Sequence, residues 1–238
     1  MTHLLKQPPS LPLISASILS ADFANMGSEC AQVLKAGADL LHLDVMDGHF
    51  VPNLTMGPDL CAAVRRAVPD SFLDVHLMVT DPANFAEPFV AAGANHLTFH
   101  VEALKGPEAL RLADRIHGLG ATAGLALNPD TPLDPVMDIA EAFDMMLVMS
   151  VHPGFSGQSF IASVLDKVRP LAATLREDQR LEIDGGVSPQ NAGLAIGAGC
   201  DVLAAASAIF KQEPAKRAAV IQDLRGLQFS ADKSAGLR

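Results

Sequence analysis

The sequence predicts an α/β chain folded as a single (β/α)8 barrel, the TIM-barrel architecture, on three observations. The chain has 238 residues, 49% of them hydrophobic and 18% charged, which suits one barrel of roughly 200–250 residues. Glycines that close amphipathic stretches recur at Gly37, Gly93, Gly120 and Gly199, at intervals of 56, 27 and 79 residues. These fit two, one and three units of about 27 residues, leaving room for eight strand–helix units. Each such glycine is followed by a short apolar run, the mark of a buried strand after a helix, and strands alternating with helices make a parallel sheet.

In chain order the strands fall at residues 13–19, 40–46, 72–78, 96–100, 121–127, 145–151, 181–184 and 201–206. Helices fill the intervals, and Asp81-Pro82, Gly106-Pro107 and Ser188-Pro189 place proline at a helix N-terminus, where its missing N–H costs nothing. An open doubly wound sheet would need a G-x-G-x-x-G turn directly after its first strand. Gly197-Ala198-Gly199 instead precedes a strand and reads as a helix cap. The domain expectation is a loosely held N-terminal arm at 1–12, a catalytic barrel at 13–227 and a C-terminal tail at 228–238.

Composition excludes several classes. A formal charge of −10 without a block of Lys or Arg argues against a nucleic-acid or anionic-membrane partner. Cys30, Cys61 and Cys200 are odd in number and far apart, so neither a disulfide framework nor a structural zinc site is expected. The apolar stretch at 11–19 is short and broken by Pro12 and serines, and no run approaches the ~20 residues of a membrane helix. A cytoplasmic enzyme is the expectation.

Residues two apart on a strand share a face. Leu41, Leu43 and Val45 oppose His42, Asp44 and Met46, and Val75 and Leu77 oppose Asp74, His76 and Met78. The apolar set would meet the helices, turning the polar set into the barrel, and His96, Thr98, His100, Glu182 and Asp184 follow the same pattern. Unpaired buried ionisable groups cost several kcal/mol each, and one divalent metal offsets this. His42, Asp44, His76 and Asp184 form an N2O2 set suited to Zn(II), Fe(II), Mn(II) or Co(II). His96 and His100 read as supporting or packing groups, and His3, His49 and His117 as surface or loop residues.

Glycine-bearing loops follow the sixth strand, P-G-F-S-G-Q from Pro153, and the seventh, D-G-G-V from Asp184. Such loops commonly hold phosphate through backbone N–H groups. No Lys or Arg occurs between Met145 and Leu165 or between Leu181 and Phe210, so amides and helix dipoles are expected to hold any phosphate there. A metal with carboxylates on separate strands suits proton abstraction beside a carbonyl, one Asp removing a proton and the other delivering one to the opposite face. Met46, Met78 and Met149 would line such a pocket and exclude water.

S-I-L-S-A-D from Ser17, H-L-D-V-M-D-G-H-F-V-P-N from His42, D-V-H-L-M-V from Asp74, H-V-E from His100, N-P-D-T-P from Asn128, M-S-V-H-P-G-F-S-G-Q-S-F from Met149 and D-G-G-V from Asp184 together resemble the ribulose-phosphate 3-epimerase family. The resemblance spans about Ser15 to Phe210. It implies a metal-dependent isomerase of the pentose phosphate pathway, interconverting D-ribulose 5-phosphate and D-xylulose 5-phosphate through an enediolate. By that resemblance Asp44 accepts the proton and Asp184 donates one, and His42, Asp44, His76 and Asp184 hold the metal. Ser17 and His76 touch the sugar, while Gly154, Phe155, Ser156, Gly157, Gly185, Gly186, Ala206 and Ser207 surround the phosphate end. It also implies a phosphorylated ketose as partner and a homo-oligomer.

The chain departs from the family's usual G-F-G-G-Q at Ser156, and has Ala206 where glycine usually precedes the final serine. Two alternatives therefore stand beside the pentulose phosphate: a hexulose 6-phosphate such as allulose 6-phosphate, and a non-catalytic sugar-phosphate binding barrel. A barrel decarboxylase or synthase would need a D-x-K pattern, and the third strand has Asp74-Val75-His76 instead.

Overall fold

The computed structural model describes residues 3–226 and closes eight parallel strands into a barrel in chain order. The strands are β1 Leu13–Ser17, β2 Leu40–Met46, β3 Phe72–Met78, β4 His96–His100, β5 Thr122–Leu127, β6 Met145–Met149, β7 Arg180–Asp184 and β8 Val202–Ala205. The second, third and fourth have the bounds expected from period-two alternation. The first and sixth are two residues shorter, because their apolar runs continue into the loops above the barrel. Ile18–Ser20 turns into a 3-10 helix, and Ser150 bends away with its Oγ donating to the carbonyls of Asp184 and Gly185 at 2.9 and 2.6 Å.

The helices are α1 His3–Lys6, α2 Met26–Lys35, α3 Pro58–Ala67, α4 Ala86–Ala91, α5 Pro107–Gly118, α6 Asp134–Met137, α7 Leu165–Thr174, α8 Pro189–Ala198, α9 Ser207–Phe210 and α10 Arg217–Leu224. Proline opens α5 and α8 as expected, while Pro82 opens a 3-10 turn ahead of α4. The unit between β5 and β6 has only the single turn α6 and a 3-10 turn at Ala140–Ala142, with Pro129 and Pro132 in the loop before it and Pro135 in the first turn of α6. Gly199, which ends α8 at φ 115°, permits a contact no other residue allows: a Cβ there would lie 2.4 Å from Ala172 Cβ.

Leu41, Leu43, Val45, Leu73, Val75 and Leu77 pack between the barrel and its helices, leaving the alternate residues inside. The barrel floor is apolar, built from Leu13, Leu40, Phe72, Met145 and Val202, and Leu5 of α1 is wholly buried against it. Arg180 Nε donates to the Leu5 carbonyl at 2.5 Å. The start of the expected loose arm is thus a plug, because the open end of an apolar barrel needs a cover. The tail at 228–238 lies outside the described residues. Among those described, no helix is long and apolar enough to cross a membrane.

Candidate metal centre and active site

The parallel register sets Asp44 beside His76 on β2 and β3. His42 and Asp44 face inward from one strand, His76 from the next, and Asp184 ends β7 across the barrel. Their donor atoms lie within 4.8 Å of one another. His42 Nε2 is 3.3 Å from His76 Nδ1, 3.3 Å from Asp44 Oδ1 and 3.9 Å from Asp184 Oδ2. His76 Nδ1 is 3.4 Å from Asp44 Oδ1 and 3.7 Å from Asp184 Oδ2.

These spacings match a cation site. Bonds of about 2.0–2.2 Å in a tetrahedron put neighbouring ligand atoms roughly 3.3–3.6 Å apart. Below the four donors lie Asp74 and Glu182, both fully buried, and no Lys or Arg forms an ion pair with the group among the described residues. With carboxyls outnumbering imidazoles, the donor set is one that favours a divalent ion.

The neighbours fix the orientation of each ligand. His42 Nδ1 lies 2.7 Å from Asp74 Oδ2, so its N–H is donated downward and Nε2 faces the cluster. Ser17 Oγ donates to Asp44 Oδ2 at 2.6 Å, leaving Oδ1 toward the two imidazoles. Ser17, expected at the sugar, therefore also orients Asp44.

The two candidate proton-transfer groups are driven apart. Burial works against ionisation of Asp44, but the charge and hydrogen bond of His42 outweigh it and hold the carboxyl well below the ordinary range. Burial, reinforced by the charge of Asp44, pushes Asp184 up to about 7. Burial also lowers His76 to about 4, so it is a neutral ligand at pH 7. His42 is raised despite its burial, because Asp74, Asp44 and Glu182 surround it. Glu182 is itself raised by burial and by Asp74.

A cleft of about 470 Å³, counting its open mouth, stands over these groups, lined by Ser17, Asp44, Met46, Met78, Met149, Gly154, Phe155, Ser156, Gly157, Asp184, Gly185, Gly186, Ala206 and Ser207. The sequence-derived site residues thus share one cavity, with His42 and His76 beneath its floor. The sulfur side chains come from three strands and are at most 3% exposed. Gly185 and Gly186 take positive φ of 117° and 64°. A Cβ on Gly186 would meet Gln158 O at 2.6 Å and Phe160 N at 2.8 Å, so D-G-G lets the loop after β7 rest on the main chain after β6. Asn53 Nδ2 donates to Gly154 O at 2.7 Å, joining the loop after β2 to the same rim. Ala206 sits at φ −103°, a conformation that does not require glycine.

Leu19, Val151, Pro153, Val187 and Ala204 also line the cleft; their apolar character alone carried no signal. One cation that the sequence reading did not place near these loops is Lys211. Its Nζ lies 3.7 Å from where a Cβ on Gly157 would stand, one residue beyond α9 and outside the segments in which Lys and Arg are lacking.

A family model described as the ribulose-phosphate 3 epimerase family matches residues 13–210. The ribulose-phosphate 3-epimerase of Bacillus subtilis is 45% identical over 217 residues, covering 90% of this chain and 98% of its own. That of Escherichia coli K12 is 46% identical over 216 residues, covering 90% and 94%. Among solved structures, 3-keto-L-gulonate-6-phosphate decarboxylase from Vibrio cholerae aligns with a TM-score of 0.70 at 17% identity, covering 92% of this chain and 99% of that one, a likeness of fold. A chain matched through all eight strands by the family model, and over nine-tenths of its length by these relatives, belongs to the ribulose-phosphate 3-epimerase family.

Proposed function

We propose that Asp44 and Asp184 are the paired base and acid of an enzyme that inverts C3 of D-ribulose 5-phosphate to give D-xylulose 5-phosphate. The observation that carries this reading is the convergence of two carboxyls from separate strands, Asp44 of β2 and Asp184 of β7, at one cleft floor, with Asp44 held low and Asp184 raised in the metal-free chain. Two titratable groups driven apart by their surroundings are ready as base and acid.

His42, Asp44, His76 and Asp184 would hold one divalent ion, of Zn(II), Fe(II), Mn(II) or Co(II) character. That ion, when bound, supplies Lewis-acid polarisation of the ketone oxygen. Asp44 removes the C3 proton, and Asp184 returns a proton from the other side. The reverse reaction exchanges their roles. Ser17 keeps Asp44 turned toward the cluster, and Met46, Met78 and Met149 exclude water from the enediolate. Backbone N–H groups of the Gly154–Gly157, Gly185–Gly186 and Ala206–Ser207 turns receive the phosphate, with the Lys211 ammonium nearby. A cytoplasmic setting suits the three buried thiols, of which burial raises Cys30 and Cys200 to about 12 and Cys61 to about 11.

The test compares kcat/KM for ribulose 5-phosphate and allulose 6-phosphate on the cation-loaded protein. The expected result is preference for the pentulose, loss of turnover on chelation and recovery on adding cation. Preference for the hexulose would replace the substrate, and no turnover of either sugar by loaded protein would reject the reading.

A further inference from the structure

His76 has a second hydrogen-bonding nitrogen that the proton-transfer chemistry leaves unexplained. While Nδ1 faces the carboxylates, Nε2 lies 2.8 Å from Nε2 of His100, on the next strand. The two rings are nearly parallel, at 16° with centroids 5.0 Å apart, and both are wholly buried. At that separation one proton is shared, and the neighbours decide which ring carries it. His100 Nδ1 is 3.0 Å from Glu102 Oε2, and an ionised carboxylate only accepts. His100 therefore carries its proton on Nδ1, its Nε2 offers a lone pair, and His76 must donate from Nε2. The lone pair of His76 is then on Nδ1, directed at the cluster.

Glu102 is firmly held. Its Oε1 accepts from the Asn128 N–H at 2.9 Å and from Thr131 Oγ1. The loop carrying those donors is tied in turn by Lys167 Nζ, which donates to the carbonyls of Asn128, Pro129 and Thr131. Glu102 is held down at about 2; its burial acts the other way, but hydrogen bonds from His100, Thr131 and Asn128 prevail.

We propose that His100 and Glu102 form a positioning relay that fixes His76 as an Nδ1 donor and so sets the cation affinity of the site. His42 receives the same support directly from Asp74, whereas His76 receives it through one intervening imidazole. The inference rests on the cation reading of the four-residue cluster and adds two residues that touch neither cation nor substrate.

Co(II) titration of the full chain, followed by visible absorption and by competition with a chelator, tests it. Glu102→Ala and His100→Phe are expected to weaken Co(II) binding about 10- to 100-fold, and Glu102→Gln, which keeps an acceptor for His100, should fall between Glu102→Ala and the unaltered protein. Folded Glu102→Ala and His100→Phe proteins binding Co(II) within twofold of the unaltered chain would overturn the relay. Should either variant fail to fold, 15N-histidine NMR of the unaltered chain decides: an Nε2–H on His76 and an Nδ1–H on His100 support it, and an Nδ1–H on His76 refutes it. No Co(II) binding by the unaltered chain would instead defeat the cation reading itself.

Discussion

Asp44 and Asp184 show how one environment can drive two identical side chains toward opposite ionisation. Both are drawn from water, but Asp44 has two imidazoles and the Ser17 hydroxyl around it, while Asp184 meets the negative charge that Asp44 keeps. Asp44→Asn and Asp184→Asn, with helicity retained by circular dichroism, are each expected to lower kcat on ribulose 5-phosphate by at least about 10²–10⁴-fold, the usual size of a lost proton-transfer group. The raised Asp184 also has a thermodynamic sign. Unfolded, it ionises near 4, and folded near 7. In the metal-free protein this group therefore costs stability progressively as pH rises from about 4 to 7. The melting temperature of metal-free Asp184→Asn should rise relative to the unaltered protein over that interval; a pH-independent difference would contradict the assignment. The four candidate ligands were legible because charged residues on the inward face of an apolar strand need an explanation. Lys211 and the coupling of His100 to His76 were not, since both depend on distances between chain segments that spacing along one strand does not encode.

The elements that matter most are the glycine loops after β6 and β7. Gly186 sits at φ 64° with no room for a Cβ between Gln158 O and Phe160 N. Gly186→Ala should cost about 1–3 kcal/mol of strain, a melting shift on the order of 2–12 °C for a chain this long, and should raise KM for the phosphorylated sugar more than it changes kcat. A melting temperature and KM equal to those of the unaltered protein would show that the loops do not rest on one another. Strand bounds read from alternation were correct at β2, β3 and β4, where polar residues on the inward face mark the period. They overran at β1 and β6, where Ile18, Leu19 and Val151 continue the apolar run because they line the core or the cleft. The weak helical unit at α6 was marked by its prolines, yet counting eight equal units hid it.

Across the whole molecule, the barrel divides its labour between two ends. The four-residue cluster lies within the C-terminal half of the barrel, the methionines and the glycine loops stand over it, and the floor is an apolar plug closed by Leu5 and Arg180. Leu5→Ala is expected to cost about 2–5 kcal/mol and to lower the melting temperature by roughly 4–20 °C while kcat at 25 °C stays unchanged; a matching fall in kcat would show that the ends are coupled. The barrel and its end-to-end polarity follow from strand–helix alternation, but nothing in the first ten residues marks Leu5 as the cover, because only the closed barrel creates the opening it fills. In the proposed reaction two opposed carboxyls at one cation site exchange the C3 proton with solvent. This exchange is tested most directly by NMR of the xylulose 5-phosphate formed from ribulose 5-phosphate in D2O during the first turnovers of cation-loaded protein. Deuterium at C3 of that product is the predicted result, and product that retains its original hydrogen at C3 would contradict the account.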